Sequence, residues 1–303
     1  MHVPTPIAQV VRGFVMGAAD IVPGVSGGTV ALVLGIYERL IRNVHTGAQA
    51  LKALVTGDLA ACGAHVRRVE WVWLISLLAG VLTAVAVLSS VLERLLDDQP
   101  VRMAALFFGL VFGSLTVAWR MIRAVRPAHI GVVIVVAVGL FLLLGLRSDT
   151  EAAGDAAEVV TRAWWIFLLS GALAICAMIL PGISGSFILV MIGMYSEVLG
   201  AVNDRDLFVL AVFGLGCVVG LAGFSTVLNW ALERHHDVVM AAMVGLMLGS
   251  LRVLWPWPNG TKTTDLTGPV GDVAVPVALG VAGCVLVIAV ELVATHLHRR
   301  RAM

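Results

Sequence analysis

The sequence predicts an all-α, polytopic membrane protein built from two inverted-topology repeats, and three observations support this. The first is composition, because the 303-residue chain is 60% hydrophobic and 13% charged, with a mean hydropathy of +1.00, whereas soluble domains carry about 25% charged residues. The second is pattern, because the long apolar windows lack the alternation of barrel strands and so favour helices. The third is repetition, since the cluster Pro-Gly-x-Ser-Gly stands at 23–27 and again at 181–185.

Three collinear sequence matches indicate that one unit is duplicated. The matched stretches, in chain order, are PGVSGGTVALVLGIY (23–37) with PGISGSFILVMIGMY (181–195), Gly80 and LER (92–94) with Gly220 and LER (232–234), and GLVFGSLTVAW (109–119) with GLMLGSLRVLW (245–255). The offset changes from match to match, which is typical of loop insertions between two copies. We therefore expect a first membrane repeat over 1–147, a second over 160–303 and an external linker over 148–159.

Each repeat is predicted to contain a broken apolar segment followed by three membrane-spanning helices. The broken segments are 7–41 and 163–200. The predicted spans are 71–94, 101–121 and 129–146 in the first repeat, and 207–232, 238–255 and 273–295 in the second. The arms beside each break have about 15 to 19 residues, or roughly 22 to 28 Å, which is short for a hydrocarbon core of about 30 Å. Each broken segment is therefore predicted to be a re-entrant helical hairpin.

Three crossings per repeat are an odd number, so the second repeat is predicted to be inverted relative to the first. Of the 20 Lys and Arg residues, thirteen fall on the face that carries both termini and seven on the other. The positive-inside rule then places both termini in the cytoplasm. A competing topology, in which each broken segment is one bent crossing, gives parallel repeats and moves the Arg-rich tail outside.

The repeated break has the chemistry of an anion site. Pro and Gly end a helix, and irregular backbone is tolerated in hydrocarbon only where it is buried in protein or lines a wet cavity. Helices that begin near Ser26 and Ser184 aim free N–H groups at the break, and inverted repeats bring the two tips together near the midplane. The candidate substrate-binding residues are Pro23, Gly24, Ser26, Gly27, Gly28, Thr29, Pro181, Gly182, Ser184, Gly185, Ser186 and Arg252. Tight packing of small residues explains the glycines alone but not the repeated order of Pro, Gly, Ser and Gly in both halves.

Three acidic residues are candidates for ion coupling. Asp20 precedes the first break and is a proton or sodium candidate by its depth, or a cap for backbone amides. Glu38 and Glu197 follow the two hairpins, where they either gate cations or form interfacial salt bridges with Arg39 and Arg12.

Arg252 interrupts the last matched stretch on the external side. It is either the first cation to meet an incoming phosphate or a side chain that snorkels beside Trp255. The sequence does not decide between the two.

Two other classes of function remain open at this point. A chloride-type anion channel or exchanger also uses helix ends around Gly- and Ser-rich breaks. An intramembrane serine protease is a remote alternative, because G-x-S-x-G at 24–28 lacks a histidine base nearby. We predict no catalytic residue, no metal, no cofactor and no nucleic-acid partner, and we expect the scattered cysteines Cys62, Cys176, Cys217 and Cys284 to be structural thiols.

The paired motifs DIVPGVSGGT and LPGISGSFILVMIGMY resemble those of the bacterial polyprenyl-phosphate transporter family of the PopT type, over nearly the whole chain. The resemblance implies transport of undecaprenyl phosphate, or of decaprenyl phosphate, from the outer to the inner leaflet of the bacterial cytoplasmic (inner) membrane. This recycles the lipid carrier for peptidoglycan and other envelope polymers. Coupling to protons or sodium ions is a further expectation from the family. A phosphate monoester carries close to two negative charges, which agrees with the anion chemistry of the breaks, while the prenyl tail is expected to stay in lipid.

Overall fold

Helices make up most of the described part of the chain. The computed structural model describes residues 6–21, 26–145, 163–262 and 265–302, and these contain no strand, so the predicted all-α class is confirmed. The first half contains α1 (Pro6–Asp20), α2 (Gly27–Val33), α3 (Tyr37–Val55), α4 (Leu59–Arg68), α5 (Trp71–Asp98), α6 (Pro100–Arg120) and α7 (Pro127–Gly145). The second contains α8 (Trp164–Ile179), α9 (Gly185–Met191), α10 (Tyr195–Asn203), α11 (Leu207–Arg234), α12 (His236–Ser250) and α13 (Ala274–Ala302). The predicted linker 148–159 lies outside the described residues.

Five of the described helices are long and apolar enough to cross a membrane, and the chain is a multi-pass membrane protein. They are α5, α6, α7, α11 and the Ala274–Leu292 part of α13. The sixth predicted span, 238–255, was wrong in its length, because α12 has only 15 residues and ends at Ser250. Turns follow, and then the sequence Trp-Pro-Trp-Pro, in which proline cannot continue a helix. At 1.5 Å per residue α12 covers roughly 22 Å.

The second arm of each broken segment is shorter than predicted. Helices α2 and α9 have seven residues each and both end at a glycine, Gly35 or Gly193, with φ of +65°. In both turns the amide after the glycine donates to the carbonyl five residues earlier, at 2.9 Å from Ile36 and 2.8 Å from Met194. This is the Schellman helix end, in which glycine takes the left-handed conformation. The predicted arms of 15 to 19 residues were therefore wrong at this point, and α3 and α10 are separate helices.

Four helix pairs form the body of the protein: α1 with α5, α8 with α11, α6 with α13, and α7 with α12. Glycine lets the backbones of each pair touch. A Cβ atom at Gly109 would collide with the carbonyl oxygen of Gly280, and one at Gly216 with that of Leu168. Small residues at helix contacts are the usual way for membrane helices to approach closely.

Helices α6 and α12, which match in sequence, run in opposite directions. Pro100 at the start of α6 meets Gly260, which lies beyond the end of α12. Just after the end of α6, the amide of Arg123 donates to the carboxylate of Asp237 at the start of α12, at 3.0 Å. Inverted repeats require this relation between matching helices. The boundaries 1–147 and 160–303, the inverted placement in a bilayer and the re-entrant hairpins stay predictions.

Close contact at Gly216 predicts a stability difference between two neighbouring glycines of α11. Gly216→Ala is expected to lower the free energy of unfolding by about 1–3 kcal/mol, because the methyl group overpacks a backbone contact. Gly214→Ala is the matched control, since a Cβ there meets nothing within 4 Å. Thermal unfolding in detergent, followed by tryptophan fluorescence, measures both. Equal stability of the two variants would contradict the packing described here.

Candidate functional site

The two breaks lie in contact at the centre of the molecule. The hydroxyl of Ser26 is 3.3 Å from the carbonyl oxygens of both Met178 and Leu180, which share its single proton as acceptors. The hydroxyl oxygen of Thr29 accepts from the amide of Gly182 at 3.1 Å. Ser26 and Thr29 are each only 2% exposed. Hydrogen bonds between residues more than 150 positions apart therefore join one break to the other.

Tyr37 adds a third link between the halves. Its side chain is 1% exposed, and its hydroxyl donates to the carbonyl oxygen of Ile179 at 3.2 Å. The last carbonyls of a helix have no partner within the helix, and α8 ends at Ile179 just before Pro181, which has no N–H to offer. Hydroxyls of the first half thus satisfy the carbonyls that the second break exposes. Tyr37 was not among the predicted site residues, although a tyrosine stands at the same place in both copies of the motif.

In the first break, side chains of the same half bind the amides of Gly27 and Gly28. The Asp20 carboxylate accepts from the amide of Gly27 at 2.6 Å, and the Ser26 hydroxyl accepts from the amide of Gly28 at 3.1 Å as the N-cap of α2. The capping interpretation of Asp20 is therefore what the geometry supports directly. Pro23 and Gly24 lie outside the described residues.

The second break is more open than the first. Ser184 begins α9 without a side-chain cap, and its hydroxyl lies 2.8 Å from that of Ser186, which is exposed. Met178, at the place that corresponds to Asp20, is 44% exposed, so no carboxylate occupies this position. Gly185 and Pro181 are buried beside it. The two expected anion sites are thus unequal: at the first break the amides of Gly27 and Gly28 are bonded to side chains, whereas at the second the hydroxyls of Ser184 and Ser186 bond to each other and stay accessible.

Gly182 is required by its backbone conformation. Its φ is +87°, and a Cβ atom there would lie 2.8 Å from the Cα atom of Met247 in α12. A larger residue would therefore be strained twice, by its dihedral angle and by contact with α12. The tight turn after Pro181 is what brings the Gly182 amide to Thr29.

Arg252 does not reach the breaks. Its guanidinium lies 4.7 Å from the centre of the Phe141 ring, with Nη1 at 3.5 Å from the Phe141 carbonyl oxygen. It lines a shallow surface cavity with Trp255. The contacts described for Arg252 are with the end of α7 and include neither break. Its role as a first contact for an anion stays a prediction.

The two glutamates at the hairpin exits have different surroundings. Glu38 is 3.1 Å from Nε2 of His236, so the expected partners Arg39 and Arg12 were wrong. His236 also contacts Asp237, at 3.2 Å, and the network joins the start of α3 to the start of α12. Glu197 lies in the first turn of α10 and forms no hydrogen bond or ion pair with the residues that the structure describes. The interfacial interpretation therefore fits Glu38.

An apolar cavity of about 340 Å³ adjoins the first break. Its lining includes Val15, Thr29, Leu88, Leu110 and Leu286, so five helices contribute to it. Its size falls within the range of about 300–1,000 Å³ that small-molecule sites occupy. Thr29 belongs to the cavity lining, and its hydroxyl oxygen accepts from the amide of Gly182. Gly182 stands two residues before Ser184, so the cavity lies close to the second break.

Comparison with known proteins gives one consistent result. A family model described as undecaprenyl phosphate translocase-like matches residues 16–268. A Vibrio cholerae protein named polyprenyl-phosphate transporter is 39% identical over 252 residues, which are 83% of this chain and 78% of that protein. A Staphylococcus aureus protein of the same name is 29% identical over 259 residues, 82% of this chain and 86% of that one. No solved structure gives a significant match.

Contact between the breaks predicts a cost for Thr29→Val. The substitution keeps the shape of the side chain and leaves the buried Gly182 amide without an acceptor, which costs about 1–3 kcal/mol of unfolding free energy. Thr83→Val is the control, because the Thr83 hydroxyl is exposed and contacts only the Ala79 carbonyl of its own helix. Unfolding in detergent with increasing denaturant compares the two. An equally small effect of both substitutions would argue against the contact.

Proposed function

Because the chain belongs to the undecaprenyl phosphate translocase-like family, we propose that it transports a polyprenyl phosphate across a membrane. Its two named relatives are both called polyprenyl-phosphate transporter, and its helices are those of a multi-pass membrane protein. The proposed substrate is undecaprenyl or decaprenyl phosphate. The proposed direction is from the outer to the inner leaflet of the bacterial cytoplasmic membrane, with both termini in the cytoplasm, which returns the lipid carrier to cell-envelope synthesis.

The proposed head-group site is the second break. The observation that carries it is the pair of hydroxyls of Ser184 and Ser186, 2.8 Å apart and accessible, beside a turn that the first break holds in place. A phosphate offers only acceptors when fully ionised, so hydroxyl donors suit it. No carboxylate stands at Met178 to repel it. The hydroxyls matter more here than the dipole, because α9 has only seven residues.

The proposed place for the start of the prenyl tail is the apolar cavity beside Thr29. This cavity adjoins the contact between Thr29 and Gly182, and its lining is almost wholly aliphatic. Burial of a hydrocarbon chain there follows the usual gain of about 25 cal/mol per Å² of apolar surface. The remainder of a long tail would stay in lipid.

The proposal also includes ion coupling, which concerns Asp20. An acid deep in a membrane protein is a candidate for proton or sodium binding. In this chain its carboxylate also caps α2, so ion binding would compete with the bond to Gly27. Release of that bond would loosen the first break, and with it the support for the second.

A leaflet assay on purified protein in liposomes tests the function. We expect the protein to speed the appearance of polyprenyl phosphate in the opposite leaflet, measured with a phosphatase that cannot enter the vesicle. Ser184→Leu should abolish this activity without unfolding the protein, whereas Ser196→Leu, an exposed serine of α10, should retain it. Chloride flux without lipid translocation in the same vesicles would favour the channel alternative and contradict the proposal.

Met178→Asp tests the difference between the two breaks. The substitution places a carboxylate where the first break has Asp20, and repulsion between like charges costs several kcal/mol. Transport of polyprenyl phosphate is therefore expected to fall at least about tenfold. Met178→Asn is the control, because asparagine has the size of aspartate without its charge. This variant should transport polyprenyl phosphate at close to the normal rate. Equal rates for the two variants in the leaflet assay would exclude the second break as the head-group site.

A further inference from the structure

A cavity of about 350 Å³ lies at the start of the first hairpin, at the end of the molecule where Arg39, Arg67 and Arg68 are found. Its lining includes Gln9 of α1, Arg39 of α3, and Glu70 and Trp73 at the start of α5. We call it the basic-end cavity. Gln9 precedes Asp20 by three turns of α1, or roughly 16 Å, so this cavity is separate from both breaks.

Two buried side chains in its lining have hydrogen-bond donors without partners. Gln9 is 1% exposed and Trp73 is 4% exposed. Gln9 accepts from Arg12 Nη1 at 3.3 Å through its Oε1 atom, and because a guanidinium only donates, this bond fixes the orientation of the amide. The Gln9 Nε2 and Trp73 Nε1 atoms then have no acceptor among the described residues. Native proteins rarely leave buried donors in this state.

The charged groups in and beside the cavity leave a positive excess, because Arg12, which does not itself line the cavity, contacts the lining residue Gln9. Arg39 donates to Glu70 through Nε at 3.0 Å and lies 4.8 Å from the centre of the Trp73 ring. This guanidinium holds the pKa of Glu70 below its usual range, so the carboxylate is ionised and balanced. Arg12 has no carboxylate partner within the part of the chain that the structure describes, and Arg39 lies close enough to repel it.

Together these groups specify the chemistry of a ligand. It has acceptors and no need of donors, it is negatively charged, and it meets two N–H groups and a guanidinium. A phosphoryl group meets all three conditions. Carboxylates meet them less well, because two oxygens in one plane serve fewer donors from different helices than three oxygens do.

We propose that the basic-end cavity binds a phosphoryl group, held by Gln9 and Trp73 of its lining and by the charge of Arg12, which adjoins Gln9. The rim favours access from a membrane surface, because Trp71 and Val72 of the lining are 50% and 69% exposed. Lipid phosphate and free inorganic phosphate share this chemistry. The inference does not depend on transport, since it concerns binding at a site that the breaks do not form.

Native mass spectrometry of the detergent-purified full chain tests the proposal with two probes, dioctanoyl phosphatidic acid and inorganic phosphate. Trp73→Phe keeps the ring beneath Arg39 and removes one donor, and Arg12→Gln removes the charge. Each is expected to weaken binding about tenfold, as loss of a hydrogen bond to a charged group does. Trp71→Phe is the control, because its Nε1 already donates to the Val66 carbonyl at 2.9 Å.

Binding of phosphatidic acid alone identifies a lipid head-group site, and binding of both probes identifies a site for free phosphate as well. The difference between Trp73→Phe and Trp71→Phe is expected to persist in a Ser184→Leu background, which separates this cavity from the second break. If Trp73→Phe does not fold, the partly exposed Arg12→Gln decides. The proposal is overturned if the protein binds neither probe, or if Arg12→Gln and Trp73→Phe bind them as tightly as the unaltered chain.

Discussion

A helix that breaks inside hydrocarbon must find partners for its main-chain groups within the protein, since the lipid offers none. The rest of the structure depends on how this constraint is met. The carbonyls of 178–180 accept from hydroxyls of the other half, and the Gly182 amide donates to Thr29. Neither half satisfies both breaks alone. The contact between halves is therefore a condition of folding, and it concentrates the polar groups of an apolar chain at one place.

This solution makes the two breaks unequal, although their sequences match. In the first break, the hydroxyls of Ser26 and Thr29 and the carboxylate of Asp20 already bond to main-chain groups. Ser26 and Thr29 are buried. In the second break, the main-chain groups bond to Ser26 and Thr29 of the first half. Ser184 and Ser186 therefore stay accessible. Glycine-mediated packing of the four helix pairs brings the backbones close enough for these bonds. A site with accessible hydroxyls next to a rigid neighbour is suited to hold an anion.

Much of the fold was predictable from the sequence, because a motif that occurs twice is easier to recognise than one that occurs once. The helical class, five of the six spans and the residues of both breaks follow from composition and matched motifs. The early ends of α2 and α9 were not predictable in this way. A lone glycine such as Gly35 is tolerated within an apolar helix, and whether it ends the helix depends on the turn that follows. The partners of Tyr37, Glu38 and Arg252 depend on tertiary contacts between distant segments, which no local pattern encodes.

The most direct test of the account is an experimental structure of the protein with polyprenyl phosphate bound. The account predicts the phosphorus atom beside the hydroxyls of Ser184 and Ser186, with the Thr29 to Gly182 bond intact and the first isoprene units in the apolar cavity. A head group bound at the outer surface by Arg252 alone, with nothing at the second break, would contradict it. So would a structure in which the two breaks lie apart and unpaired.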